Sequence, residues 1–145
     1  MQLVNEVKFD RIMDQQAGGV TEVNTSIIDT ANYNGVNFCV ILGNVVDNAR
    51  IDVQCQGNNI ESDIGMVNLN GAVASIESAS GDANKIIILD VYKPMKRFIR
   101  LRIARTVQNS QIQAVIATKY EPRLKPIDQS GVKVSKTFIS PEATI

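Results

Sequence analysis

The chain has 145 residues, 44% hydrophobic and 21% charged, with fifteen basic and fifteen acidic side chains and no histidine. That length suits a single domain able to bury roughly 70% of its unfolded surface, so no metal or disulfide is needed to staple it. The missing imidazole excludes Ser–His and Cys–His catalysis and the commonest zinc ligand sets, and no apolar run reaches the roughly 18 residues of a membrane-spanning helix.

The opening MQLVNEVKFDR places Glu6, Lys8, Asp10 and Arg11 where a secretory signal needs an unbroken apolar core, so a cytoplasmically made mature chain is expected. VKFDRIM alternates, with Val7, Phe9 and Arg11 on one face and Lys8, Asp10 and Ile12 on the other. Gly18-Gly19 reads as a turn. TEVNTSIID is followed by a turn at Asn32 to Gly35, and VNFCVILG then sets Val36, Phe38, Val40 and Leu42 on one face. RIDVQCQ sets Ile51, Val53 and Cys55 inward and Asp52, Gln54 and Gln56 outward. A polar loop runs from Gly57 to about Gly65, and the nearest approach to a helical pattern, weak and able to hold a short turn, lies from Asp63 to Leu69. GAVASIE, KIIILDVY, RFIRLRIART and QIQAVIATKY complete the series, with SGDAN a turn between the first two. About eight short strands rich in Val and Ile, without capped helices, predict an all-β sandwich or barrel. The expected core comprises Phe38, Val40, Val53, Leu89, Val91, Ile99, Leu101 and Val115, with Ile116 only in part because strand neighbours point to opposite faces.

Little in this chain resembles reaction chemistry. Cys39 and Cys55 sit in apolar strands and read as two small buried thiols. The carboxylate pairs Asp10 with Asp14 and Glu61 with Asp63 fall at strand ends or in loops. Asp47, Asp52 and Asp63 do not match a calcium-loop spacing. There is no phosphate-binding glycine motif. The absence of tryptophan weighs against a carbohydrate-binding sandwich. The expectation is a non-enzyme with no catalytic residues, no cofactor and no metal.

Charge is unevenly distributed along the chain. Residues 1–84 hold eleven acids and three bases, and residues 85–145 hold four acids and twelve bases. The basic density peaks in DVYKPMKRFIRLRIAR, from Asp90 to Arg105. Parity puts Ile87, Leu89 and Val91 on one face of the first strand and Ile86, Ile88, Asp90 and Tyr92 on the other. In the second strand, Ile99, Leu101 and Ile103 oppose Phe98, Arg100 and Arg102. Pro94 ends the first strand. A five-residue hairpin loop would set Tyr92 opposite Phe98 and Asp90 opposite Arg100. A corner crossing between two sheets would leave the faces unchanged but abolish that pairing. Either way the arginines leave the core, as a solvated strand face or, with the apolar residues beside them, as the kind of mixed surface that makes a protein–protein contact. Zero net charge and few stacking aromatics count against a nucleic-acid module.

The stretches LDVYKPMKRFIRLRI and AVIATKYEPRLKPI, with the earlier VNTSIIDTANYNGVNFCVILG, resemble a family of small virion proteins of tailed bacteriophages and prophages, similar to the head-decoration, or cement, proteins of some short-tailed phages. The resemblance covers roughly residues 1–127. It implies a jelly-roll sandwich over residues 1–125 that binds the outer surface of the capsid shell and stabilises it. The implied partners are the major capsid protein and further copies of the chain, as a dimer or trimer. It also implies synthesis in the bacterial host cytoplasm and a place on the capsid exterior, with no membrane and no specific nucleic acid. A tail- or portal-associated virion accessory and a nucleic-acid-binding β module are the alternatives. The residues expected to meet a partner are Lys93, Lys96, Arg97, Phe98, Arg100 and Arg102, the arginines meeting acids of the capsid protein or of a second copy. Residues 126–145 form an expected C-terminal arm. Too little apolar surface is present to hold it down, yet Val132, Val134, Phe138 and Ile139 are too apolar for a solubility tail. They are expected to lie against a neighbouring subunit. A further strand of the domain over Val132 to Phe138 is the other reading.

Overall fold

Period-two alternation becomes ten strands in the computed structural model, which describes residues 2–77 and 79–139. They are β1 (Lys8–Met13), β2 (Gln16–Gly19), β3 (Glu22–Asn24), β4 (Ile28–Asp29), β5 (Tyr33–Val45), β6 (Arg50–Asn58), β7 (Val67–Ile76), β8 (Ile86–Tyr92), β9 (Phe98–Thr106) and β10 (Ser110–Pro122). A single helical turn, α1 (Leu3–Glu6), precedes them. One antiparallel sheet has the order β1-β10-β5-β8, with β2 also on β10. The other has the order β3-β9-β6-β7, with β4 also on β9.

The pairs β6–β7, β5–β8, β3/β4–β9 and β1/β2–β10 are the rungs of one long hairpin, from its tip at β6–β7 to its ends. Successive rungs fall in opposite sheets. That rolled hairpin is the jelly-roll winding, and it makes a two-layer sandwich. The expected count of eight becomes ten because the first two arms of the hairpin are interrupted. Between β3 and β4 the Thr25 hydroxyl accepts the Leu101 N–H at 2.9 Å while the Thr25 N–H donates to the Leu101 carbonyl, so a side chain replaces a rung of the ladder.

The facing sides of the sheets are aliphatic. Phe38, Val40, Val53, Ile99, Leu101 and Val115 are fully buried, as parity predicts. Leu89 and Val91 point the same way but are only partly buried, because β8 is the last strand of its sheet and lacks a covering neighbour. Ile116 turns outward beside Cys39, as its neighbour Val115 requires. Cys55 is buried in the core and Cys39 lies on the outer face of the other sheet, so both are free thiols.

One expectation needs correcting, and the structure decides three readings that the sequence leaves open. The Asp90–Arg105 stretch is not a hairpin: β8 pairs with β5 and β9 with β6, so the Pro94 turn carries the chain from one sheet to the other. Tyr92 therefore stands opposite Gly35, and Arg100 opposite Gln56, while the face assignments hold. Gly18-Gly19 belongs to β2. The segment from Asp63 to Leu69 holds a short turn running into β7, and among the described residues the one helical turn is at Leu3–Glu6. No strand forms over Val132 to Phe138. The last part of the expected arm, 140–145, lies outside the described residues.

Replacing Leu101, fully buried between the sheets, by alanine is expected to cost about 2–5 kcal/mol. Ile88→Ala on the outer face should change stability by under about 0.5 kcal/mol. Urea unfolding of both variants checks the parity, and equal losses would contradict it.

Candidate interaction surface

Arg97, just before β9, and Arg100 and Arg102 within it point away from the core, and their charges are answered inside the chain. Arg97 holds Asp29 through two hydrogen bonds of 2.8 Å and lies over the half-buried Phe98 ring, 5.0 Å from its centroid. Arg100 is buried: its Nε donates to Gln56 Oε1 at 3.0 Å and its Nη1 to Asp63 in the polar loop that folds over this face. Arg102 donates to Glu22 on the neighbouring strand. Hydrogen bonds from Arg97 and Arg102 hold the Asp29 and Glu22 carboxyls below their usual range. The acids come from the first half of the chain and the bases from the second. Lys119–Asp10 at 3.5 Å and Lys125–Glu6 at 2.7 Å repeat the pattern. The winding lays the second half antiparallel on the first, so the sequence asymmetry is largely cancelled in space. Arg105 points inward, where sequence parity drew no attention to it. It donates to the carbonyls of Ala17, Thr21 and Ser110 and closes one end of the sandwich.

At the other end the three stretches that carry the family resemblance meet. Tyr92 of β8 and Tyr120 of β10 stack across β5, with centroids 6.2 Å apart and an interplanar angle of 11°. They meet above Gly35, where an added Cβ would come within 2.2 Å of the Tyr120 ring. Their hydroxyls cross over: Tyr120 donates to Asp90 of β8 at 2.9 Å, and Tyr92 donates to Glu121 near the end of β10 at 2.8 Å. Each bond favours the neutral phenol. Burial, followed by the Asp90 bond, pushes Tyr120 up to about 12, and the Glu121 bond raises Tyr92. Lys93 continues the corner with its ammonium 5.4 Å from the Tyr92 centroid, and its N–H donates to the Asn34 carbonyl. Lys96 packs on Gly57, where a Cβ would meet the Lys96 Cβ at 2.7 Å. This crossed clasp ties three strands together, and no sequence periodicity reveals it.

The outer face beside the clasp is apolar. Register aligns Ile116, Cys39 and Ile88 in one row across β10, β5 and β8, and Ala114, Ile41 and Ile86 in the next. Ile86 and Ile88 are 54% and 55% exposed. The row continues to Arg11 of β1, so the patch has a polar rim on that side. Sequence reading placed Ile86, Ile88 and Tyr92 outward but set them beside the arginines. The sheet order instead joins them to β5 and β10, on a different layer from β9.

The root of the arm is fixed, while its described residues beyond Gly131 are exposed. Gln129 donates to the Val4 and Val7 carbonyls, the Phe9 N–H donates to Gln129, and the buried Lys8 donates to the Ser130 carbonyl at 2.6 Å. Beyond it Val134, Phe138 and Ile139 are 67%, 70% and 80% exposed.

Fold and surface together define an all-β sandwich with an exposed apolar sheet face and a projecting arm. Among the described residues, no group of three or more Cys, Asp or Glu side chains could hold a metal ion. No protein-family model matches the sequence, and no curated protein matches it.

Two outcomes follow. The raised phenol pKa values mean that the clasp stabilises the fold fully below pH 10, the ordinary tyrosine value, and that this contribution fades as pH rises through about 12. Tyr120→Phe should flatten this alkaline loss in denaturant titrations; an unchanged profile would remove the clasp from the account. Arg100→Glu should destabilise by about 1–3 kcal/mol, because it strands Gln56 and faces Asp63 with like charge. A loss below about 0.5 kcal/mol in urea melts would show that the arginine is idle.

Proposed function

We propose that the chain is a non-enzymatic virion structural protein of a tailed bacteriophage: a decoration protein that attaches to the outside of the major capsid shell and reinforces it. It would be made in the bacterial cytoplasm and end on the capsid exterior. The observation that carries the reading is the apolar outer face of the β1-β10-β5-β8 sheet, where Ile86 and Ile88 stand more than half exposed beside Ile41 and Ile116. An isoleucine moved from full exposure to full burial contributes roughly 1.5–3 kcal/mol, so a cluster of this size supports attachment to a preformed surface. Further support comes from the family resemblance, whose three stretches converge on the clasp beside this face. The jelly roll alone argues for no function, since one fold hosts many.

The placement of the basic residues revises the contact. Arg97, Arg100 and Arg102 are occupied within the chain, so the shell contact is proposed to centre on the isoleucines, with Lys93 and Lys96 at its corner and Val134, Phe138 and Ile139 of the arm adding to it. The same neutralisation weakens the nucleic-acid reading, which needs uncommitted cations for phosphates.

The test is a pelleting titration of the full chain on undecorated heads of the phage that encodes it. Saturable binding is expected, and Ile88→Asp should weaken it at least about tenfold without lowering the melting temperature. Heads that take up no protein, with binding to isolated tails or portals instead, would favour the accessory reading. Equal binding by Ile88→Asp would move the contact off this face.

A further inference from the structure

We infer that the arm of one copy adds as a parallel strand to the free edge of β8 in a second copy, with Val134 beside Ile88 and Lys136 beside Asp90. The inference concerns copies of this chain alone and stands whether or not a capsid shell is the further partner.

The acceptor is an edge without the usual protection. β8 is the last strand of its sheet. Its register with β5 runs unbroken from Gly35↔Tyr92 to Ile41↔Ile86, so no bulge twists it away. Within Ile86–Tyr92 there is no proline and no lysine, and Asp90 is the single charge. Native sheets normally blunt such edges, because their unpaired N–H and C=O groups template another strand. The inward Ile87, Leu89 and Val91 of β8 are only partly buried, which shows the sandwich open on this side.

The donor has the composition of a strand but, among the described residues, pairs with no strand. Val132 to Ile139 alternates Val132, Val134, Lys136 and Phe138 with Lys133, Ser135, Thr137 and Ile139, and contains no acid, glycine or proline. No strand forms there, and its large apolar side chains are exposed.

The two segments match position by position. Setting Val134 beside Ile88 brings Val132 to Ile86, Lys136 to Asp90 and Phe138 to Tyr92 on the outer face. Lys133, Ser135 and Thr137 fall at the solvent-facing rim next to the inward residues of β8. Two aliphatic pairs, one opposite-charge pair and one aromatic pair are the combinations that stabilise neighbouring strands. Among the described residues, neither Asp90 nor Lys136 takes part in an ion pair. Among the described residues, the Asp90 carboxylate accepts only from the Tyr120 hydroxyl, and Glu121 beside it adds to the negative field. Main-chain bonds along the edge supply affinity, and the alternate side chains fix register, as in other strand additions.

Geometry favours a second copy as the acceptor. The arm is rooted on β1 through Lys8 and Gln129, and β1 and β8 are opposite edges of one sheet with β10 and β5 between them. Three strand spacings, roughly 14 Å, separate the root from its own β8. Donor and acceptor are different surfaces, so the contact is heterologous and links the β1 side of one copy to the β8 side of the next.

The test uses full-length chains carrying Cys39→Ser, which removes the thiol beside Ile88. A Val134→Cys chain is mixed with a longer, tagged Ile88→Cys chain and oxidised. A disulfide-linked heterodimer is expected, well above the yield from Val134→Cys mixed with Val73→Cys, an exposed β7 position. A yield no higher than that control overturns the register, and closure of an Ile88→Cys/Val134→Cys double variant as a monomer overturns the intermolecular assignment. In sedimentation equilibrium, Asp90→Lys and Lys136→Asp should each weaken self-association about tenfold and together restore it. A chain ending at Gly131 should melt like the full chain but stay monomeric, and association unchanged by that truncation would overturn the proposal.

Discussion

Two late strands hold interior places: β10 lies between β1 and β5, and β9 between β3 and β6. Neither sheet is complete until these late strands have returned to the early ones, and this long-range constraint organises the rest. Inward positions of β9 and β10 supply Ile99, Leu101, Ile103, Ile112 and Val115 to the core. Their outward positions bring the bases of the second half against the acids of the first. A chain that is lopsided when read end to end thus becomes locally neutral, and arginines that would suit phosphates spend their hydrogen bonds on Asp29, Asp63 and Glu22.

The same winding explains where specificity can reside. With β9 covered by its own loop and strands, a contiguous exposed aliphatic row lies on the other layer, around Ile86, Ile88, Ile41 and Ile116. The crossed tyrosines above Gly35 hold β8, β5 and β10 in one register beside that surface. The clasp is therefore a positioning device: it fixes an open edge strand that has neighbours on one side only.

The legible parts of the fold were those set by local parity. The inward sets of β5, β6 and β9 follow from alternation alone, because each strand buries one face against aliphatic neighbours. Pairing was not legible, since the Pro94 turn reads equally well as a hairpin or a corner, and only the distant β5 and β6 decide. In β1 the inward face holds Lys8 and Asp10, which composition would place in solvent; the Lys8–Asp10 and Lys119–Asp10 ion pairs make that burial tolerable, and Lys119 is more than a hundred residues away. For the surface, the exposed Ile86, Ile88, Tyr92, Val134, Phe138 and Ile139 could be read from the sequence. The occupation of Arg100 and Arg102 could not, because their partners lie in segments with no local signal.

An assembly role for the chain turns on which layer meets the partner. Cryo-electron microscopy of decorated heads, at a resolution that shows side chains, tests this most directly. The account predicts Ile86 and Ile88 buried against the shell, with Arg100 and Arg102 still bonded to Asp63 and Glu22. A shell contact made by the β9 arginines, their internal partners released and the isoleucine face left in solvent, would contradict it.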